Sequence, residues 1–347
     1  MRNMSSCAFM SPKLKPPIIF ELSMDNVFNN TVDRAKGLAI LLVVLGHIAS
    51  HLGGLIFSFH VPLFFFLAGI FIKTNYSEIT YLRKSWNRLI LPFLIFGSLG
   101  FLVTLIKNIF LHRPIEPLTE SLAGMLYWAD TIHMHHYGLV LWFLPALFWG
   151  RTGVFLIAKH THLHPLLLLI LTSAVAWLMA HYMDIPFGLD KGLVALPWIY
   201  LGYLFFQTRN SWLSKGWGFV AVLALFCTLL VYIGGIRPLD LGSKNIGNPL
   251  LSIPYTTSLI FIFFWILHRC GAFPSFSRSL FIGVISQFGR DSLLVLVLHI
   301  YTNNLANVLV THVLGPDYWY VTFVISAALV YAAILLKYRY IGSRIFK

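Results

Sequence analysis

Charge is scarce in this sequence. Asp, Glu, Lys and Arg make up 11% of its 347 residues, against 58% hydrophobic ones. A soluble fold of this length needs a far more polar surface, so that class is excluded. Acidic residues are scarcest, 12 against 25 basic ones, for a formal charge of +13. Cysteine is limited to Cys7, Cys227 and Cys270. Their spacings match no metal or redox motif and offer no disulfide framework. The opening MRNMSSCAFMSPKLKPPIIF has basic residues but lacks a clean apolar run before a small-residue cleavage site. It is read as a cytoplasmic tail, with the first membrane helix as an uncleaved signal anchor. There is no internal repeat and no low-complexity tract.

What the chain does have is apolar length, with a mean hydropathy of +0.78. Ten segments approach the ~20 residues of a spanning helix: 37–54, 57–72, 89–106, 138–157, 164–181, 192–207, 217–235, 249–267, 292–311 and 319–336. The stretch 37–72 carries no charged residue. It is too long for one span and slightly short for two, so HLGG at 51–54 predicts a tight hairpin of two short helices. With the N-terminus inside, 20 of the 25 Lys and Arg residues fall on the inner side, as the positive-inside rule requires. The basic surplus is therefore topological rather than a nucleic-acid signal. The expected fold is an all-α polytopic membrane protein of about ten transmembrane helices with both termini cytoplasmic. Its divisions are a tail over 1–36, a transmembrane domain over 37–336 and a tail over 337–347.

Ionisable groups inside a bilayer are costly and point to function by default. The first segment has Lys36 at its rim and His47 eleven residues deeper. At 100° per residue the two share one face, about 16 Å apart along the axis, with Asp33 close to the same face. A cation at the inner mouth and an imidazole at mid-depth suit a long anionic molecule that reaches in with a thin arm. The plainer alternative makes Lys36 a snorkelling anchor and His47 a packing residue. On the ninth segment, His299, Asn303 and Asn307 recur every four residues. That stripe is either a second catalytic wall or interhelical glue. His60 opens the second segment near the outer face, where it either touches an acceptor or ends a helix among headgroups. Trp142, like Tyr127 and Trp128, either stacks on sugar rings or is an interfacial aromatic. HMHH (His133, His135, His136) and HTHLH (His160, His162, His164) are read as loops, and no metal is expected.

DRAKGLAILLVVLGHI followed by FSFHVPLFFFLAGIFIK resembles the opening of the membrane acyltransferase family 3, a basic residue eleven positions before a histidine and then a His-Pro-Leu-Phe-Phe-type stretch. His60, Pro62, Leu63, Phe64, Phe65, Ala68 and Gly69 match that stretch. RKSWNRLILPF, LWFLPALF and FGRDSLLVLVLHIYT are similar to later motifs of the family. The basic residue is most often arginine there. Lys36 keeps the charge without the two-pronged donor geometry, and suggests the branch resembling fucose O-acetylases. Arg83, Lys84 and Arg88 match the family's paired arginines only in charge.

The resemblance implies transfer of an acyl group, usually acetyl, from cytoplasmic acyl-CoA to a glycan hydroxyl across the membrane. It makes acetyl-CoA the co-substrate, with Lys36, Arg83, Lys84 and Arg88 at its phosphates. His47 is then a general base or an acyl-carrying nucleophile, and His299 its catalytic partner. His60, Trp142 and Asn303 become substrate-binding candidates. The acceptor expected is an O-antigen, an exopolysaccharide or a lipid-linked precursor at the bacterial inner membrane. The rival expectation is an exporter of a glycan or small anion that uses His47 and His299 as a proton relay.

Overall fold

The computed structural model describes residues 18–48, 52–115, 117–128, 138–234, 239–271, 273, 275 and 279–340. Among them the regular structure is helical. The helices are α1 (Ile18–Gly46), α2 (Gly53–Phe57), α3 (His60–Ile70), α4 (Glu78–Ser85), α5 (Leu91–Phe110), α6 (Leu118–Ala123), α7 (Gly138–Leu141) and α8 (Phe143–His160). They continue as α9 (Pro165–Tyr182), α10 (Leu189–Val194), α11 (Leu196–Leu213), α12 (Trp217–Gly234), α13 (Pro249–Gly271), α14 (Leu280–Arg290), α15 (Ser292–Val313) and α16 (Trp319–Tyr340).

Among the described residues, five helical stretches are long and apolar enough to cross a membrane: Glu78–Phe110, Pro165–Tyr182, Pro249–Gly271, Ser292–Val313 and Trp319–Tyr340. Several elements differ from the sequence-drawn segments. The segment 37–54 is the end of a much longer helix that already runs at Ile18 and stops at Gly46. The segment 57–72 is broken at Ser58–Phe59, which leaves α3 with 11 residues. The third segment grows to 33 residues, because a π turn over Trp86–Ile90 joins α4 to α5. Prolines sit in the first turns of α5, α9 and α11, where a missing N–H costs nothing. The His164 ring adds a cap by accepting from the Leu166 N–H at 3.2 Å.

Apolar helices in lipid gain little from hydrophobic sorting, so close backbone packing must hold them. Glycine provides it at two crossings. A Cβ on Gly37 or Gly289 would overlap the facing carbonyls of Ile285 and Asp33, which locks α1 to α14. A Cβ on Gly69 or Gly202 would overlap Ile199 and Phe66 carbonyls, which locks α3 to α11. The α1 helix thus lies at the centre, against α3, α13, α14, α15 and α16. One buried ion pair ties the far end of the chain in. Lys337 of α16 meets Asp291 at the start of α15, and the Tyr338 hydroxyl donates to the same carboxylate at 2.9 Å. Lys337 is therefore a packed residue rather than a free tail cation.

Candidate active site

Positions 36, 40, 43 and 47 fall on one helical face by the 3.6-residue period. Lys36, Ile40, Val43 and His47 all line one cavity of about 630 Å³. That size is in the range of a small-molecule site. The cavity has two chemically distinct ends.

Cations mark the first end. Lys36 stands with its ammonium 4.3 Å from the Phe71 ring. Arg88 joins it from the π turn, and Arg151 from α8. A π turn holds one extra residue and re-aims the side chains that follow it. Arg151 lies 5.9 Å over the Tyr81 ring, and its Nε is buried without a hydrogen-bond partner. Lys36 and Arg151 feel one another's charge, an arrangement that favours a bound anion. The other two predicted cations do not line the cavity. Lys84 packs 3.8 Å over the Tyr76 ring, and Arg83 lies on the exposed side of α4.

Imidazoles mark the other end. Because α1 stops at Gly46, His47 occupies the turn after it and is exposed to the lumen. The His47 backbone N–H still bonds the Val43 carbonyl at 3.2 Å. The Phe57 ring packs edge-on to His47 at 6.3 Å and to His60 at 5.0 Å between centroids. The His60 Nδ1–H donates to the Ile56 carbonyl at 2.6 Å, so Nε2 of this cavity-lining ring is an acceptor. The fully buried His299 lies behind His47, 5.1 Å away between ring centroids. Its Nδ1–H donates to the Leu296 carbonyl at 2.9 Å, and its Nε2 is buried with no partner.

Asn303 is not brought to the cavity. Its amide donates to the Val44 carbonyl at 2.9 Å and accepts from the Ser326 hydroxyl at 2.6 Å. It thereby satisfies a carbonyl left open where α1 ends, and it holds the terminus that carries His47. Trp142 does line the cavity, mostly buried, against Phe143 and Gly242. HMHH lies outside the described residues. His160 of HTHLH instead meets Glu78 at 3.0 Å.

Two cavity residues escaped the sequence argument. Arg151 reads there as an ordinary loop cation, since nothing in its neighbourhood marks the turn toward Lys36. Asp240 lies on the strap 239–248 that enters α13, and it reaches the imidazole end with Gly242 and Ser243. Its one sequence signal is Asp-x-Gly-Ser, the pattern of a side-chain-capped turn. Strap residue Lys244 is fixed by Asp190 at 3.1 Å and by Asp184. Burial alone would lower the Lys244 pKa, and the bonds to the two carboxylates outweigh this and raise it.

Residues 29–338 match the family model described as an acyltransferase domain, Acyl_transf_3. The match is to the family and singles out no fucose O-acetylase-like branch. No curated protein and no solved structure matches.

Proposed function

This chain belongs to the acyltransferase family 3 and is a membrane acyltransferase, and on that premise we propose that it moves an acetyl group from cytoplasmic acetyl-CoA to a hydroxyl of a bacterial surface polysaccharide. The acceptor class proposed is an O-antigen, an exopolysaccharide or a lipid-linked precursor. The setting proposed is the inner membrane, with about ten spans and both termini cytoplasmic, as the distribution of basic residues favours.

One observation carries the reading. The face of α1 and the turn that ends it present a cation at one end of a cavity and an imidazole at the other, about 16 Å apart by the helical rise of 1.5 Å per residue. A pantetheine arm is narrow and about 15–20 Å long by chain geometry. Lys36, Arg88 and Arg151 suit its phosphates, since all three line the same cavity. Acetyl-CoA supplies an activated acyl carbon and a thiol leaving group.

The residues of the chain supply the proton traffic. His47 accepts the proton of the acceptor hydroxyl as that oxygen attacks the thioester carbonyl carbon. The carbon–sulfur bond then breaks, and the protonated ring returns the proton to the departing sulfur, so base and acid are one residue. His299 lends its Nε2 lone pair to the far side of His47 and steadies the imidazolium between the two steps. The acyl-histidine route remains the alternative chemistry for His47. Acyltransferase membership gives the exporter reading no support.

The test uses the full-length protein in nanodiscs with radiolabelled acetyl-CoA and envelope glycan stripped of its O-acetyl groups by mild base. Wild type acetylates the glycan and His47→Ala does not. Glycan left unlabelled by wild type, with acetyl-CoA intact, sinks the reading.

A further inference from the structure

Among the described residues, the imidazole end of the cavity contains one carboxylate, Asp240, which no step above uses. It sits on a strap that is built rather than loose. Leu239, Leu241 and Ile246 are buried beneath it. Asp240 and Asn245 exchange backbone hydrogen bonds of 2.9 and 2.8 Å. The strap crosses the Trp142 indole at Gly242, where an added Cβ would stand 3.3 Å from the ring.

The carboxylate is held but not consumed. Oδ1 accepts from the Gly242 N–H at 2.9 Å and, more weakly, from the Ser243 N–H at 3.4 Å. Oδ2 accepts from the Ser243 hydroxyl at 2.7 Å. Ionised carboxylate oxygens offer about four lone-pair sites in all, so acceptor capacity remains. Its charge is felt at both His47 and His60, yet no hydrogen bond joins it to either. Asp240, His47 and His60 all line the one cavity.

Resting on the acyltransferase reading above, we propose that Asp240 is the specificity-determining residue of the acceptor subsite and binds hydroxyls next to the one acylated. A fixed carboxylate opposite a general base accepts hydrogen bonds from neighbouring hydroxyls of a ring, and so sets which oxygen reaches His47. Trp142 offers a flat apolar wall beside it, the combination that a polyhydroxylated ring matches. The same charge repels an acceptor with a carboxylate or phosphate at that position. The ligand class is a neutral sugar ring with at least two adjacent hydroxyls.

The experiment compares wild type with Asp240→Asn, full length in nanodiscs. Asn keeps the strap's acceptor oxygen and removes the charge. The probes are acetyl-CoA and the mild-base-treated envelope glycan, with thermal unfolding as a check on folding. Hydrogen bonds to a charged group are worth enough that the acceptor KM rises about ten- to a hundredfold. The KM for acetyl-CoA stays at the wild-type value, because the phosphate-binding cations lie at the other end of the cavity. An unchanged acceptor KM overturns the assignment. So does a lower kcat at constant acceptor KM, which would place Asp240 behind His47 instead, and so does a loss of folding without a selective KM effect in either Asp240→Asn or Asp240→Ser. Wild type that transfers nothing removes the acyltransferase reading and this inference together, whereas active wild type with an insensitive variant removes only this one.

Discussion

His47 and His299 stand 5.1 Å apart between ring centroids, one in the lumen and the other fully buried with its Nε2 unmatched. A buried polar atom without a partner is costly, and it persists where something else uses it. The pairing is natural if His299 receives the His47 N–H as the catalytic ring gains a proton. His47→Ala is then expected to lower kcat by ~10²–10⁴, the usual share of a general base. His299→Gln removes the second imidazole at similar volume and is expected to cost kcat without a change in the KM for acetyl-CoA. Steady-state kinetics on both purified variants decide this, and a His299 variant with wild-type kcat removes the relay.

The basic end makes a separate prediction, because it discriminates among cations that look alike in sequence. Arg151→Ala and Lys36→Ala take away a lumen cation and are expected to raise the KM for acetyl-CoA about tenfold or more, increasingly so at low salt. Arg83→Ala takes away an exposed charge that does not line the cavity and leaves that KM unchanged. Equal effects at Arg83 and Arg151 would contradict the placement of the phosphate site.

The sequence announced the Lys36 and His47 face because a helix repeats every 3.6 residues, and that arithmetic needs no tertiary information. The same rule could not say that α1 ends at Gly46, which turns His47 from a mid-helix residue into one on a terminus. Asn303 illustrates the other limit. Its polar side chain at membrane depth is visible in sequence, but whether it faces a substrate or the Val44 carbonyl depends on a helix 259 residues away. Arg88 lies within the π turn and Lys84 on the helix before it, and no composition rule marks the extra residue that separates their directions. Segment lengths failed where short helices share a crossing, as in α2 and α3, because hydropathy counts residues and not breaks.

The buried pair of Asp291 and Lys337 is expected to behave asymmetrically. Lys337→Met takes the ammonium from the buried Asp291 carboxylate and leaves it the Tyr338 hydroxyl, at a cost of about 3–5 kcal/mol. Replacing both residues, as Asp291→Asn with Lys337→Met, removes the uncompensated charge and recovers much of that loss. Thermal midpoints of the single and double variants in the same detergent give the comparison, and a double variant no better than the single one refutes the ion-pair account.

Close packing in lipid supplies the last prediction. Gly202→Ala places a methyl into the Phe66 carbonyl, and Gly69→Ala into that of Ile199. Backbone cannot yield as a side-chain tip does, so α3 and α11 must separate. Overpacking of this kind costs about 1–3 kcal/mol. Because α3 carries His60, and Leu67 and Ala68 of the cavity wall, the same shift is expected to lower activity as well as Tm. Gly218→Ala provides the contrast. It lies in α12 with open space around its would-be Cβ, and alanine is the better helix former by up to about 1 kcal/mol. That variant should keep or gain thermal stability at wild-type activity. If Gly202→Ala and Gly218→Ala unfold alike, glycine at the α3–α11 crossing is not what holds the cavity wall in place.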